Sequence, residues 1–286
     1  MATKTVKNGL YMPNYGIFGD IHFLIQLAQL AETHGWDGFF LWDHIAYKND
    51  EGHTVNVADP WVALTAIAIK TQSIRIGTTV TSLPRRRPWK LARETASLDQ
   101  LCGGRLILGV GMGLGQGEWD DLGEETDLVK RGQMLDEGLD VLTGLWTGDP
   151  FSYDGQHYHI DDAQFLPRPQ QQPHIPIWVG GFWPNKRPFQ RMARWDGMIP
   201  LFEEEGPQVF KEGVRYVQQQ RTSSDLDFDI VKIGVSQPDM DVSPWVEAGI
   251  TWWLELLMPE VYGFQPGDEA AQQVFIDLIK QGPSIT

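Results

Sequence analysis

The sequence predicts an α/β fold, a single (β/α)8 TIM barrel spanning residues 1–286. Three observations point there. Short apolar runs alternate with amphipathic stretches eight times, 286 residues suit one barrel, and no linker, internal repeat or low-complexity tract divides the chain. An open doubly wound sheet is the rival, because periodicity alone does not separate the two.

The first strand is read at Gly9–Met12. Asp20 caps a helix through His34, with Phe23, Leu24, Leu27, Leu30 and Ala31 on one face and Gly35 as its stop. Phe39–Trp42 is the second strand, ending at Asp43-His44. Asp59-Pro60 opens the next helix, the acid at the cap and the proline in the first turn. Ile74–Val80 is a β-branched third strand. Pro88 opens a helix that ends at Gly103-Gly104, and Leu106–Val110 is the fourth strand. From about Asp127 to Trp146, Leu135, Leu139, Leu142 and Trp146 fall at helical spacing.

Residues 148–174 break this rhythm with prolines and glutamines, and an irregular excursion with a small hairpin is expected there. The alternation then resumes. Strands are read at Ile177–Val179, Gly197–Pro200, Ile230–Val235 and Ile250–Leu256, with helices at 189–195, 209–219, 245–248 and 269–279.

Composition excludes several classes of function. The chain carries 23 Lys and Arg against 38 Asp and Glu, a net charge of −15. Such a surface repels polyanions, so neither nucleic acid nor an anionic membrane is an expected partner. The balance is uneven, because residues 196–286 hold 5 basic and 16 acidic side chains. Cys102 is the sole cysteine, which rules out an internal disulfide and thiol-rich metal sites. Neither a signal-peptide core nor a membrane-length apolar run is present, so a cytoplasmic location is expected.

A barrel places its chemistry at the C-terminal ends of its strands. Asp43-His44 follows the second strand, where the imidazole can exchange a proton near neutral pH and the aspartate can orient it. Either that, or His44 is a hydrogen-bonded structural residue at a helix entry. The fourth strand runs into Gly109-Val110-Gly111-Met112-Gly113-Leu114-Gly115-Gln116-Gly117, where bare backbone can approach a flat ring or a phosphate. Its spacing matches neither a P-loop nor a dinucleotide fingerprint. Val179-Gly180-Gly181 ends the fifth strand before a helix, a place where amides can hold phosphate. Arg85-Arg86-Arg87 follows the third strand and suits a phosphorylated or carboxylated ligand. No Gly-x-Ser-x-Gly elbow occurs, and no metal-ligand spacing, so no metal is expected and a metal-dependent hydrolase is disfavoured.

Several segments, taken in order, resemble the bacterial luciferase-like superfamily of flavin-dependent oxidoreductases. They are Gly-Trp-Asp-Gly-Phe-Phe-Leu-Trp-Asp-His (35–44), Ile-Arg-Ile-Gly-Thr-Thr-Val-Thr (74–81) and Arg-Arg-Pro-Trp-Lys-Leu-Ala-Arg-Glu-Thr-Ala-Ser-Leu-Asp (86–99), then Gly-Gly-Arg-Leu-Ile-Leu-Gly-Val-Gly (103–111). Leu-Asp-Glu-Gly-Leu-Asp-Val-Leu-Thr-Gly-Leu-Trp-Thr-Gly (135–148), Pro-Ile-Trp-Val-Gly-Gly (176–181) and Ala-Arg-Trp-Asp-Gly (193–197) complete the set.

The resemblance implies a TIM barrel with FMN or the deazaflavin coenzyme F420 across its mouth and a small, largely apolar organic substrate. It implies a non-prolyl cis peptide at Thr79-Val80 beneath the ring, with Gly111 and Gly113 flanking it. Val179, Gly180 and Gly181 would hold the phosphate, helped by Arg85 or Arg86, and His44 would stand near the reactive face with Asp43. A monooxygenase using reduced FMN and a reductase or dehydrogenase using coenzyme F420 for hydride transfer are both open readings, as is a non-catalytic flavin carrier. The glutamate that some deazaflavin dehydrogenases carry just after strand four is replaced here by Leu114 and Gly115. Shortened insertions imply an open pocket, and relatives imply a homodimer.

Overall fold

The computed structural model describes residues 5–114, 117–203, 206–222, 227–237 and 240–285. In chain order the elements are β1 (Lys7–Met12), α1 (Ile21–Thr33), β2 (Gly38–Leu41), α2 (Pro60–Lys70), β3 (Arg75–Ser82), α3 (Pro88–Leu101) and β4 (Leu106–Gly111). They continue with α4 (Gly117–Asp120), α5 (Leu128–Trp146), β5 (Phe151–Asp154), β6 (His159–Ala163), β7 (Ile177–Trp183) and α6 (Lys186–Met192). The last are β8 (Gly197–Phe202), α7 (Pro207–Gln220), β9 (Asp229–Gly234), α8 (Ser243–Glu247), β10 (Trp252–Leu256) and α9 (Ala270–Gln281).

Eight strands close into a parallel barrel in the order β1-β10-β9-β8-β7-β4-β3-β2. Closure rules out the doubly wound alternative, and the structure is the (β/α)8 barrel. The expected caps form. Asp20 accepts the amide of His22, Asp59 those of Trp61 and Val62, and Asp127 those of Val129 and Lys130. The excursion contains the antiparallel pair β5–β6. Gln171 ties it to the barrel, its amide and side chain meeting both oxygens of the buried Asp99 and the carbonyl of Leu106.

Period-2 alternation sorts the strand side chains into two cores. Phe40, Ile107, Trp178, Ile199, Val231, Trp252 and Leu254 fill the barrel interior, and Tyr11, Val80 and Ile233 pack against them. The outward residues build the larger layer beneath the helices. Two interior tryptophans, Trp178 and Trp252, stand 5.3 Å apart edge to face and plug the barrel.

The structure corrects one helix start and adds one short helix. The helix after β7 begins at Lys186, not Phe189, because Pro188 sits in its first turn, where a missing amide hydrogen costs nothing. A short helical turn, α4, follows the glycine-rich run. The spacing of the glycines left it unseen.

Candidate functional site

At the C-terminal end of the barrel lies a cavity of about 220 Å³. Its walls come from β1 (Tyr11), the end of β2 (Trp42, Asp43, His44), β3 (Thr79, Val80, Ser82) and the run after β4 (Gly111 to Leu114), with Glu118 from α4. The opposite side is Gly180, Gly181, Asn185 and Arg191, with Ile199 and Leu201 of β8.

Of the residues singled out in the sequence, Asp43, His44, Thr79, Val80, Gly111, Gly113, Gly180 and Gly181 meet at this cavity. The Thr79-Val80 peptide is cis. Around it the β3–β4 register shifts between Thr78 and Thr81. Such an irregularity re-aims a strand's side chains, and Val80 packs inward at the top of the interior core. Bare backbone borders it on both sides. A Cβ on Gly111 would come within 2.8 Å of one Val80 methyl, and one on Gly180 within 3.0 Å of the other. Gly113 adopts φ +79°, and a Cβ there would meet the Ser82 hydroxyl at 2.4 Å.

Three expectations need correction. Asp43 does not orient His44. Its buried carboxylate accepts Arg86 Nε at 3.1 Å and Nη2 at 2.6 Å. The two side chains take different partners beyond the end of β2, Asp43 meeting Arg86 and His44 meeting Glu118. Arg85 and Arg86 do not line the cavity, although they were expected to reach a phosphate. Arg85 is buried and donates Nη1 to Glu118 at 2.8 Å and Nη2 to the Asp43 carbonyl at 2.7 Å, since a guanidinium taken out of water has to keep its partners. Val179 is fully buried beneath the wall rather than on it.

The carboxylate near His44 is Glu118, four residues beyond Leu114, which stands where the resemblance implies a glutamate in some deazaflavin dehydrogenases. His44 Nδ1 lies 3.2 Å from its Oε2. Its Oε1 accepts the amides of Ile45 at 2.6 Å and Ala46 at 3.0 Å. Burial alone would push the Glu118 carboxyl up. The His44 ring, the Ala46 amide and the Arg85 charge outweigh it and hold the group down, to about 2. A carboxylate only accepts hydrogen bonds, so this contact favours the His44 tautomer with its proton on Nδ1 and Nε2 bare. Tyr11 and Trp42 continue this wall, their rings 5.4 Å apart, with Trp42 5.8 Å from His44.

Arg191 also escaped the sequence reading. It lines the cavity while its Nε and Nη2 hold Asp136 at 2.6 and 2.8 Å. Sequence offers one faint signal for both omissions, an acid and a base close after strand-end glycines. The Thr79 hydroxyl is buried without a partner among the described residues, an orphaned polar atom beside glycine-bordered Val80. A flat, polar-edged ring fits this surface.

Among the described residues no group of three or more His, Cys, Asp or Glu side chains is placed to hold a metal ion, and no helix is long and apolar enough to cross a membrane.

The sequence profile of the luciferase-like monooxygenase family matches residues 4–238, and the chain belongs to that family. It is 36% identical over 163 residues to an F420-dependent glucose-6-phosphate dehydrogenase of Microbacterium testaceum, covering 56% of this chain and 47% of that one. It is 30% identical over 169 residues to the oxygenase component of a flavin-dependent trigonelline monooxygenase of Acinetobacter baylyi, covering 58% and 44%. The chain thus spans about half the length of these curated relatives. Among solved structures, an F420-dependent secondary alcohol dehydrogenase in complex with an F420–acetone adduct superimposes with a TM-score of 0.76 at 18% identity, covering 99% of both chains. That likeness is one of fold.

Proposed function

We propose that this protein is a flavin-dependent oxidoreductase that binds FMN or coenzyme F420 at the barrel mouth and acts on a small, largely apolar organic substrate. The observation that carries the reading is His44, held by Glu118 at the edge of a cavity whose walls are glycine backbone on two sides. Thr79 and Val80 would lie under the ring, with Gly111 and Gly113 at its side. The amides of Gly180 and Gly181, with Asn185 and Arg191, would hold its phosphate. Bound there, the cofactor supplies hydride or electron transfer, and with FMN also the reactivity toward oxygen.

The chain's own residues do the remaining work. His44 Nε2 gives or takes a proton at the substrate oxygen while Glu118 keeps Nδ1 protonated. Tyr11, Trp42, Ile199 and Leu201 exclude water.

Separate titrations with FMN and with F420 test the proposal. Saturable binding of one is expected, and saturable binding of neither overturns it. His44→Ala is expected to bind that cofactor as the wild type does and to lose about 10²–10⁴-fold in turnover. Undiminished turnover would remove the role given to His44.

A further inference from the structure

Arg131, on the first turn of α5, has no part in the reading above, does not line the cavity and is buried. Arg85 and Arg191, buried likewise, are paired with carboxylates. Arg131 has none within ion-pairing distance among the described residues. Its fork instead grips backbone. Nε donates to the Met112 carbonyl at 3.0 Å, and Nη2 donates to the same oxygen and to the Gly113 carbonyl at 2.6 Å. The face of the guanidinium lies 3.5 Å from the centre of the Trp119 ring, which is itself buried. Arg85 approaches that indole too, at 5.8 Å.

A buried cation without a counter-ion is costly, and burial and the charge of Arg85 both weaken its hold on the proton. What the fold obtains in return is geometric. Met112 and Gly113 are cavity wall. Trp119 is the neighbour of Glu118 on α4, a turn of only four residues. One side chain therefore holds both the Met112–Gly113 backbone and the neighbour of the carboxylate behind His44.

We infer that Arg131 is a positioning residue: by gripping the 112–113 carbonyls and the Trp119 ring together, it holds Glu118 against His44 Nδ1 and so keeps His44 in the tautomer that presents Nε2 to the cavity. This deepens the reading of His44 and rests on it, but the geometry it describes needs no bound cofactor.

The test is made on the full chain without flavin, following the His44 Nδ1 proton by nitrogen-15 NMR. In the wild type that proton is expected to be resolved and slow to exchange with water. Arg131→Met is expected to speed its exchange at least about tenfold while the amides of β7 and β10 keep their protection. Glu118→Gln, which removes the charge Arg131 positions, serves as the benchmark for a loosened proton. Arg131→Lys keeps a positive charge but not the planar fork, and is expected to behave as Arg131→Met does. Four results would overturn the inference: an unprotected proton in the wild type, unchanged exchange in Arg131→Met, wild-type behaviour in Arg131→Lys, or a loss of protection shared by the whole barrel. Because no flavin is present, failure to bind FMN or F420 would leave this result standing.

Discussion

The site depends on which atom faces which partner. Glu118 collects two amides, an arginine and an imidazole, which fixes it as an anion and favours the proton on His44 Nδ1. Its carboxyl titrates at about 2, below the ordinary carboxylate value of 4.5. The sign of the linkage follows. The unfolded chain takes up this proton first, so the stabilisation is complete above about pH 4.5 and is lost as pH falls toward 2. Glu118→Gln is expected to lose about 2 kcal/mol at pH 7 and to show a flatter acid limb than the wild type between pH 4.5 and 2. Denaturant midpoints across that range check this, and parallel acid limbs would refute it. Asp43 shows the complementary lesson. An acid beside a histidine in sequence serves an arginine in space.

At the level of elements, strand ends and the loops after them build the site. The turn at Gly113 works because φ is +79° and the Ser82 hydroxyl fills the space of a side chain. Gly113→Ala is therefore expected to destabilise by about 1–3 kcal/mol and to weaken cofactor binding along with it, read by thermal melting and by titration. Caps act locally. Asp59→Ala, which frees the amides of Trp61 and Val62, is expected to cost about 1 kcal/mol and leave the cavity unchanged. The elements themselves were legible because their signals are local, as with Asp20, Asp59, Asp127 and the β-branched run at 74–80. The helix at 186 and the turn at 117 were not, since a proline and a glycine run read as boundaries when the structure uses them inside or beside a helix.

Across the whole molecule, closure of eight parallel strands places a solid apolar plug under a polar-edged cavity. Trp178 is fully buried in that plug. Trp178→Ala is expected to cost about 3–5 kcal/mol, seen as a lowered midpoint in chemical unfolding. The sequence by itself determined the alternation of strands and helices and the segments that meet at the barrel mouth, because periodicity, caps and glycine runs are written in neighbouring residues, and its motifs carried the resemblance to the family. Only the tertiary structure decided how the charges pair. Arg85, Arg86, Asp43, Glu118 and Arg131 are spread over 89 positions of the chain. A buried charge takes whichever partner or carbonyl the packed elements bring within 3 Å or so, and that depends on how strands and helices meet across the barrel.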